Sequence, residues 1–184
     1  PEMKRVVVIG TSGSGKTTFA NGLARLLNVP HIELDQLHWN PNWQETPREE
    51  FIEKVKAATD IPAWVVDGNY TKKVSSIVWQ RADTIVWLDY PFPVVISRLL
   101  IRTFRRAVLR EECCNGNRES LRMAFSKDSI ILWAFQSHWR HQRDYAAKLR
   151  DPVHAHLHAV RLPSPQAAAR WIEHLKSTLS IRNE

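Results

Sequence analysis

One short stretch near the start of the chain restricts its fold more than any other part of the sequence. The apolar run Arg5–Ile9 is followed by Gly10, four residues, Gly15, Lys16 and Thr17, and then by a helical pattern. This strand, glycine-rich turn and helix match the complete pattern of a phosphate-binding loop. The glycines let successive backbone N–H groups face an anion, and the positive end of the helix adds to the attraction.

Each part of this loop has a predicted task in holding a triphosphate. We expect Lys16 to reach the β- and γ-phosphates and the Thr17 hydroxyl to bind Mg²⁺. The candidate nucleotide-binding residues are Gly10, Thr11, Ser12, Gly13, Ser14, Gly15, Lys16, Thr17 and Thr18. An incidental glycine–serine turn is the alternative, but the complete motif and its context favour a nucleotide. By itself the motif indicates triphosphate binding and no particular reaction.

The rest of the chain alternates short apolar strands with helices. Further strands are predicted at His31–Leu34, Ala63–Val66, Thr84–Leu88 and His156–Leu162. Helices are predicted at 16–27, 47–59, 71–80, 93–109 and 165–179, with loops at 35–46 and 110–117. One or two further long helices are predicted between the second loop and about residue 149. Short apolar strands between helices are typical of an α/β fold with a parallel sheet covered on both faces. At roughly 100–200 residues per domain, we expect a single domain over residues 1–184.

The net charge of +7 has a local origin. Residues 98–150 contain twelve Lys and Arg against five Asp and Glu, whereas the rest of the chain contains fourteen of each. The surplus favours an anionic partner, either the phosphates of a nucleotide or a polynucleotide. No apolar run approaches the roughly 18–20 residues of a membrane span, and no signal-peptide pattern is present. Adjacent Cys113 and Cys114 suit neither a disulfide framework nor a metal site, so we expect a cytoplasmic protein.

Three aspartates follow predicted strands, where open α/β sheets bind their ligands. We expect Asp67, after a fully apolar strand, to hold Mg²⁺ together with Thr17. Asp35 is expected to orient or deprotonate an acceptor hydroxyl, or to contact Mg²⁺. A turn or helix-cap role is the alternative for all three, and it is the favoured one for Asp89.

Arginines recur on one face of the helix predicted at 93–109. Arg98, Arg102 and Arg105 are spaced i, i+4 and i+7, and Arg118 follows the polar loop. Guanidinium groups can spread over a migrating phosphoryl group, so we favour this function over a merely solvated helix face. The opposite face, predicted to be buried, consists of Ile96, Leu100, Phe104, Ala107 and Val108.

Aromatic and histidine side chains leave two interpretations open. Trp39 and Trp43, in the loop after the second strand, could stack on a nucleobase or cover the edge of the core. His154, His156 and His158 alternate and would share one face of a strand. That face is either the solvated side of an edge strand or, less favoured, a metal site.

These motifs together resemble the adenylate-kinase-like P-loop proteins. The segments that carry the resemblance are the phosphate loop, Val65–Tyr70, Leu88–Pro91 and the arginine helix. A closer resemblance is to a bacterial family often called DNA topology modulation proteins, through Leu34–Trp39, Pro41–Trp43, Asp67–Tyr70 and Gly116–Glu119. It covers about residues 3–175, nearly the whole chain.

The resemblance implies a three-layer P-loop kinase fold with the strand order 2-3-1-4-5 and Mg-ATP as the phosphoryl donor. It also implies a small arginine-rich lid near 105–120, and we place an acceptor-side region near 35–62. Adenylate kinases hold AMP with a Thr-Gly-Asp segment and a Phe-Pro-Arg segment. This chain has Asn69 and Tyr70 after the third strand and no Thr-Gly-Asp, which argues against AMP as the acceptor.

We therefore predict an Mg-ATP-dependent phosphotransferase that acts on a small acceptor such as a nucleotide. The candidate catalytic residues are Lys16, Asp35, Arg98, Arg102 and Arg118; the metal ligands are Thr17 and Asp67; the acceptor-binding residues are Asp35, Trp39, Trp43, Arg48, Gly68 and Asn69. The alternative is a nucleotide-gated ATPase or binding protein that contacts DNA or RNA through residues 98–150. The lack of a clear recognition-helix motif there disfavours this alternative.

Overall fold

Five parallel strands form the central sheet of the computed structural model, which describes residues 3–70, 74–109, 114–117 and 130–182. They are β1 (Arg5–Gly10), β2 (His31–Glu33), β5 (Trp64–Asp67), β6 (Thr84–Leu88) and β7 (His158–Leu162). Their order is β2-β5-β1-β6-β7, and every neighbouring pair is parallel. Counted along the main-sheet strands this is 2-3-1-4-5, so the predicted α/β fold and strand order are confirmed.

Helices connect the strands. They are α1 (Lys16–Leu27), α2 (Leu34–His38), α3 (Arg48–Ala58), α4 (Ser75–Arg81), α5 (Phe92–Leu109), α6 (Ile130–Arg150) and α7 (Pro165–Arg182). Short 3₁₀ helices lie at Pro41–Trp43, Cys114–Gly116 and Pro152–His154. None of the helices in the described ranges is long and apolar enough to cross a membrane.

Hydrophobic clusters cover both faces of the sheet, as alternation along β1 requires. Val6 and Val8 belong to one cluster, which includes residues of α1, α5 and α7. Val7 and Ile9 belong to the other, which includes residues of α3, α4 and α6. The three inner strands β1, β5 and β6 are therefore almost fully buried, and polar side chains at their ends are left at the carboxyl edge of the sheet.

The chain departs from the sequence-based prediction after β2. The predicted strand ends at Glu33 instead of Leu34, because β2 pairs only with β5 and that strand ends beside it at Asp67. Leu34 instead begins the helix α2, and its buried side chain packs beneath Gly68. The predicted loop contains α2 and a small hairpin of β3 (Trp39–Asn40) and β4 (Gln44–Glu45).

The histidine alternation near β7 does not lie on a strand. β7 begins at His158, opposite Thr84, while His154 ends a 3₁₀ helix and His156 lies in a turn. Both imidazole rings contact backbone carbonyl oxygens. Nδ1 of His154 lies 2.8 Å from the carbonyl oxygen of Lys148. Nε2 of His156 is 3.2 Å from the carbonyl oxygen of Trp79. The prediction of a shared histidine face is therefore wrong.

The buried face of α5 also differs from the prediction. Leu100, Phe104 and Val108 are 46%, 64% and 55% exposed, whereas Val95 and Leu99 are fully buried. Val95 and Leu99 pack directly against the phosphate loop, and this contact determines how the helix is rotated. Of the other predicted face residues, Ile96 is half-buried, and the side chain of Ala107 lies outside the described part of the chain.

Candidate nucleotide and acceptor site

The phosphate loop joins β1 to α1 in the conformation that its sequence predicts. Gly13 and Gly15 both have φ of 87°, a left-handed backbone conformation that residues other than glycine rarely adopt. A Cβ atom on Gly13 would lie 2.7 Å from the carbonyl oxygen of Val95, so the loop also needs glycine for space. Gly15 precedes the first turn of α1, whose N–H groups point out of the helix end.

Lys16, the first residue of α1, lies at the centre of the site's charges. Its Nζ donates a hydrogen bond of 3.0 Å to the Thr11 carbonyl oxygen. Burial, with a small contribution from the charge of Arg102, lowers the pKa of Lys16 to about 8, although the carboxylates of Asp67 and Asp35 act in the opposite direction. The structure thus brings three other predicted site residues, Asp67, Asp35 and Arg102, within electrostatic reach of Lys16. With this pKa, Lys16 is still mostly a cation at pH 7.

The predicted metal ligands meet at the carboxyl edge of the sheet. The Thr17 hydroxyl donates a hydrogen bond of 2.8 Å to Oδ2 of Asp67. Nε2 of His31, which sequence reasoning missed, lies 2.9 Å from Oδ1 of the same carboxylate. A hydroxyl and a carboxylate beside a phosphate loop are the hard oxygen donors that Mg²⁺ prefers, so these residues fit the ion.

Two arginines of α5 interact with the phosphate loop, Arg98 through a hydrogen bond and Arg102 through its charge. Nη1 of Arg98 donates a hydrogen bond of 3.2 Å to the Ser14 carbonyl oxygen, and its guanidinium lies 5.5 Å from the centre of the Tyr90 ring. Arg102, one turn further along α5, lowers the pKa of Lys16 by its charge. Part of the predicted lid near 105–120, including Cys113 and Arg118, is outside the described ranges.

Asp35 lies in the first turn of α2. The Tyr70 hydroxyl donates a hydrogen bond of 2.7 Å to Oδ1 of Asp35. Asp35 is exposed, and its charge acts on the pKa of Lys16. The role predicted for Asp35 in orienting an acceptor hydroxyl remains a prediction.

An aromatic cluster forms the wall beside Asp35. The His38 ring lies at its centre, 4.6 Å from Tyr70, 5.0 Å from Phe51 and 4.8 Å from Trp39, between ring centres. Trp43 meets Trp39 edge to face at 5.6 Å. Both tryptophans are half-buried, so part of each side chain stays accessible.

A turn at residues 114–117 docks on this wall through asparagine side chains. Nδ2 of Asn115 donates hydrogen bonds of 2.9 and 2.5 Å to the carbonyl oxygens of Gln36 and Trp39. Nδ2 of Asn117 donates one of 3.0 Å to the Asn40 carbonyl oxygen, and its Oδ1 accepts one of 2.8 Å from the Trp43 N–H. Part of the predicted lid segment is thereby joined to the predicted acceptor-side region.

Helix α6 supplies further polar groups that sequence reasoning missed. The Tyr145 hydroxyl donates to Oδ1 of Asn69 at 3.1 Å, and burial raises the pKa of that tyrosine. Burial, together with the charges of Arg140 and Lys16, lowers the pKa of His141 to about 4. His141 is thus neutral at pH 7 and within electrostatic reach of the phosphate loop.

Asp89, for which the sequence favours a turn or helix-cap role, is instead hydrogen-bonded to distant residues of α6 and β7. Its buried carboxylate accepts hydrogen bonds of 2.7 Å from Nε2 of Gln142 and from Nε of Arg161. Arg48 begins α3 with an exposed side chain, and Gly68 has φ of 145° with Leu34 packed against it. The roles predicted for Arg48, Gly68 and Asn69 in acceptor binding remain predictions.

Comparisons with known proteins show the fold. No protein-family model matches the chain, and no curated protein matches it. Among solved structures, shikimate kinase from Bacteroides thetaiotaomicron is 17% identical with a TM-score of 0.52, over 97% of this chain and 99% of that one. A gluconokinase from Sinorhizobium meliloti 1021 is 18% identical with a TM-score of 0.52, over 98% of each chain. The chain therefore shares the α/β fold of these two kinases.

Proposed function

We propose that the protein is an Mg-ATP-dependent phosphotransferase of the adenylate-kinase-like type, which transfers the γ-phosphoryl group of ATP to a small acceptor. One observation carries the proposal: Lys16 lies within electrostatic reach of both Asp67, on the metal side, and Asp35, on the acceptor side. A donor and an acceptor site that share one lysine provide the positioning and charge stabilisation on which phosphoryl transfer depends.

The donor side would bind the triphosphate of ATP. The amides of the loop from Gly10 to Thr18 would donate to the phosphate oxygens, and Lys16 would exchange its bond to the Thr11 carbonyl for the β- and γ-phosphates. Thr17 and Asp67 would hold Mg²⁺, which neutralises phosphate charge when bound. Arg98 and Arg102 would neutralise the migrating group, and we assign the same role to Arg118 from its sequence position.

The acceptor side would present a hydroxyl group to the γ-phosphorus. Asp35 would accept the proton of that hydroxyl as the new P–O bond forms and ADP leaves. Tyr70 holds one oxygen of Asp35, which keeps the other for the acceptor. Trp39, Trp43 and the region that includes Arg48, Gly68 and Asn69 would enclose the acceptor, for which a nucleotide is one candidate.

The narrower resemblance to the DNA topology modulation proteins is part of this proposal and rests on the sequence segments alone. The solved kinases that share the fold support a phosphoryl-transfer reaction in general. The names of those two kinases refer to shikimate and gluconate, so a test should include both compounds as acceptors beside nucleotides.

The direct test measures ADP formation from Mg-ATP, alone and with each member of an acceptor panel. The panel contains nucleoside monophosphates, nucleosides, shikimate, gluconate and other small hydroxy acids. We expect one class of acceptor to accelerate ADP formation by at least about 100-fold, since acceptor positioning supplies much of the catalysis. Slow ADP formation that is indifferent to every acceptor would contradict the proposal and leave an ATPase.

The alternative from the sequence is a nucleotide-gated protein that contacts DNA or RNA through residues 98–150. The position of Arg98 against the phosphate loop disfavours it, because this arginine of the basic segment faces the nucleotide site. A polynucleotide-binding protein loses affinity steeply as salt rises. DNA binding with a steep salt dependence would support the alternative. A phosphotransferase with a small acceptor is expected not to bind DNA at physiological salt.

A further inference from the structure

His31 lies beside the metal-side carboxylate. It is the first residue of β2, which runs next to β5 so that Glu33 is opposite Asp67. The imidazole Nε2 is 2.9 Å from Oδ1 of Asp67, and the two side chains are only 11% and 5% exposed. Oδ2 of the same carboxylate accepts the hydrogen bond of Thr17.

Each oxygen of Asp67 therefore has its own donor. An ionised carboxylate only accepts hydrogen bonds, so Nε2 of His31 carries the hydrogen and donates it. Nδ1 of the ring lies 4.0 Å from Glu33, too far for a hydrogen bond, so the ring's short polar contact is the one with Asp67. With Oδ1 held on the β2 side, Oδ2 is directed toward Thr17 and the phosphate loop.

We propose that His31 is a positioning residue for the Mg²⁺ site, which acts on the metal through Asp67 and does not touch it. This inference rests on the proposed Mg-ATP function. A carboxylate fixed at one oxygen presents the other in a single direction, so less rotational freedom is lost when a metal binds. Replacement of a residue that is hydrogen-bonded to a metal ligand typically lowers the metal affinity by about 10- to 100-fold.

The test is the Mg²⁺ dependence of ATP binding, measured by isothermal titration calorimetry in EDTA and over a series of Mg²⁺ concentrations. For His31→Ala we expect the half-saturating Mg²⁺ concentration to rise by at least about 10-fold, with the ATP affinity in EDTA unchanged. His31→Gln, whose amide N–H reaches a similar position, should restore most of the Mg²⁺ affinity. His156→Ala is the matched control, because its Nε2 faces the Trp79 carbonyl instead of a carboxylate.

Two results would overturn the inference while the proposed function stands. One is an unchanged Mg²⁺ dependence in a folded His31→Ala variant, and the other is an equal loss of ATP affinity with and without Mg²⁺. If His31→Ala does not fold, His31→Gln and His31→Asn decide the question, because the shorter asparagine cannot reach Oδ1. Equal Mg²⁺ dependence in these two variants would overturn the inference. Failure of the wild-type protein to bind Mg-ATP would instead contradict the proposed function.

Discussion

The Thr17 hydroxyl and the Asp67 carboxylate, fifty residues apart in the sequence, are joined by a hydrogen bond of 2.8 Å. Parallel pairing of β1 with β5 places Asp67 opposite Val8, just before the phosphate loop begins. Threonine at the start of α1 and aspartate at the end of β5 thus meet because the two strands are neighbours. Their meeting forms the proposed metal side of the site.

Replacement of Asp67 by Asn should weaken Mg²⁺-dependent ATP binding. The substitution keeps the size of the side chain but removes the negative charge that the proposed metal needs. We expect the half-saturating Mg²⁺ concentration to rise by at least about 10-fold in calorimetric titrations. The same Mg²⁺ dependence as in the wild-type protein would show that Asp67 does not bind the ion.

Asp89 offers the matched control, since both aspartates are buried and lie where a strand of the sheet ends. Asp89→Asn should lower the free energy of unfolding by about 2 kcal/mol, because a charge-assisted hydrogen bond to Arg161 is weakened. Its ATP affinity at each Mg²⁺ concentration should equal that of the wild-type protein. Denaturant unfolding and the same calorimetric titrations check both statements.

The docked asparagine turn should stabilise the acceptor-side loop. Asn117→Ala removes two hydrogen bonds, including the one from the N–H of Trp43, whose φ of 56° is unfavourable for tryptophan. We expect a loss of about 1–2 kcal/mol in the free energy of unfolding, with a change in tryptophan fluorescence and unchanged ATP affinity. Asn21→Ala on α1 is the control. A variant as stable as the wild-type protein would mean that the docking contributes nothing.

Asp35 and Tyr70 should affect turnover and leave ATP binding intact. With the acceptor found in the panel, Asp35→Asn should lower kcat by at least about 100-fold, the usual contribution of a general base. Tyr70→Phe removes only the hydroxyl that holds Oδ1 of Asp35, so we expect a smaller loss of kcat. Steady-state kinetics measure both values. If either substitution lowered the ATP affinity as much as it lowered kcat, the cause would be a structural disturbance instead.

His141 should make the fold sensitive to acid. Its pKa is about 4 in the folded chain, lowered mainly by burial, against an ordinary value of 6.5. Between these values the unfolded chain binds a proton that the folded chain does not, so stability falls as the pH falls. From pH 7 to 5 this side chain should account for about 1–2 kcal/mol of the loss.

The measurement for His141 is urea unfolding of the wild-type protein and of His141→Gln at pH 7 and pH 5. The variant should lose less stability than the wild-type protein over this range, because glutamine does not titrate. Equal losses in the two proteins would mean that His141 titrates normally in the folded state. His156→Gln, on an exposed turn, should behave like the wild-type protein.

The sequence predicts the parts of this molecule that depend on local patterns. The phosphate loop is recognisable because its glycines, Lys16 and Thr17 are consecutive, and the strands because they are short and apolar. Asp67 could be predicted as a metal ligand because the carboxyl end of a buried strand must lie at the edge of a parallel sheet, where ligands bind. Each of these inferences needs only a few neighbouring residues.

The remaining features depend on contacts between distant segments. The partnership of His31 with Asp67 requires knowledge of which strand lies beside β5, and the docking of Asn115 and Asn117 involves residues nearly eighty positions away. Both apolar faces of α5 have helical spacing, so periodicity alone could not tell Val95 and Leu99 from the exposed face. The packing of α5 against Gly13 determines which face is buried.

The central claim is tested most directly by following the γ-phosphoryl group itself. ATP labelled at the γ-phosphate is incubated with Mg²⁺, the acceptor panel and either the wild-type protein or Lys16→Ala. We predict that the wild-type protein moves the label into one organic phosphate ester, and that Lys16→Ala loses this transfer because the lysine charge beside the phosphates is gone. Label released only as inorganic phosphate, or transfer that survives in Lys16→Ala, would contradict the account.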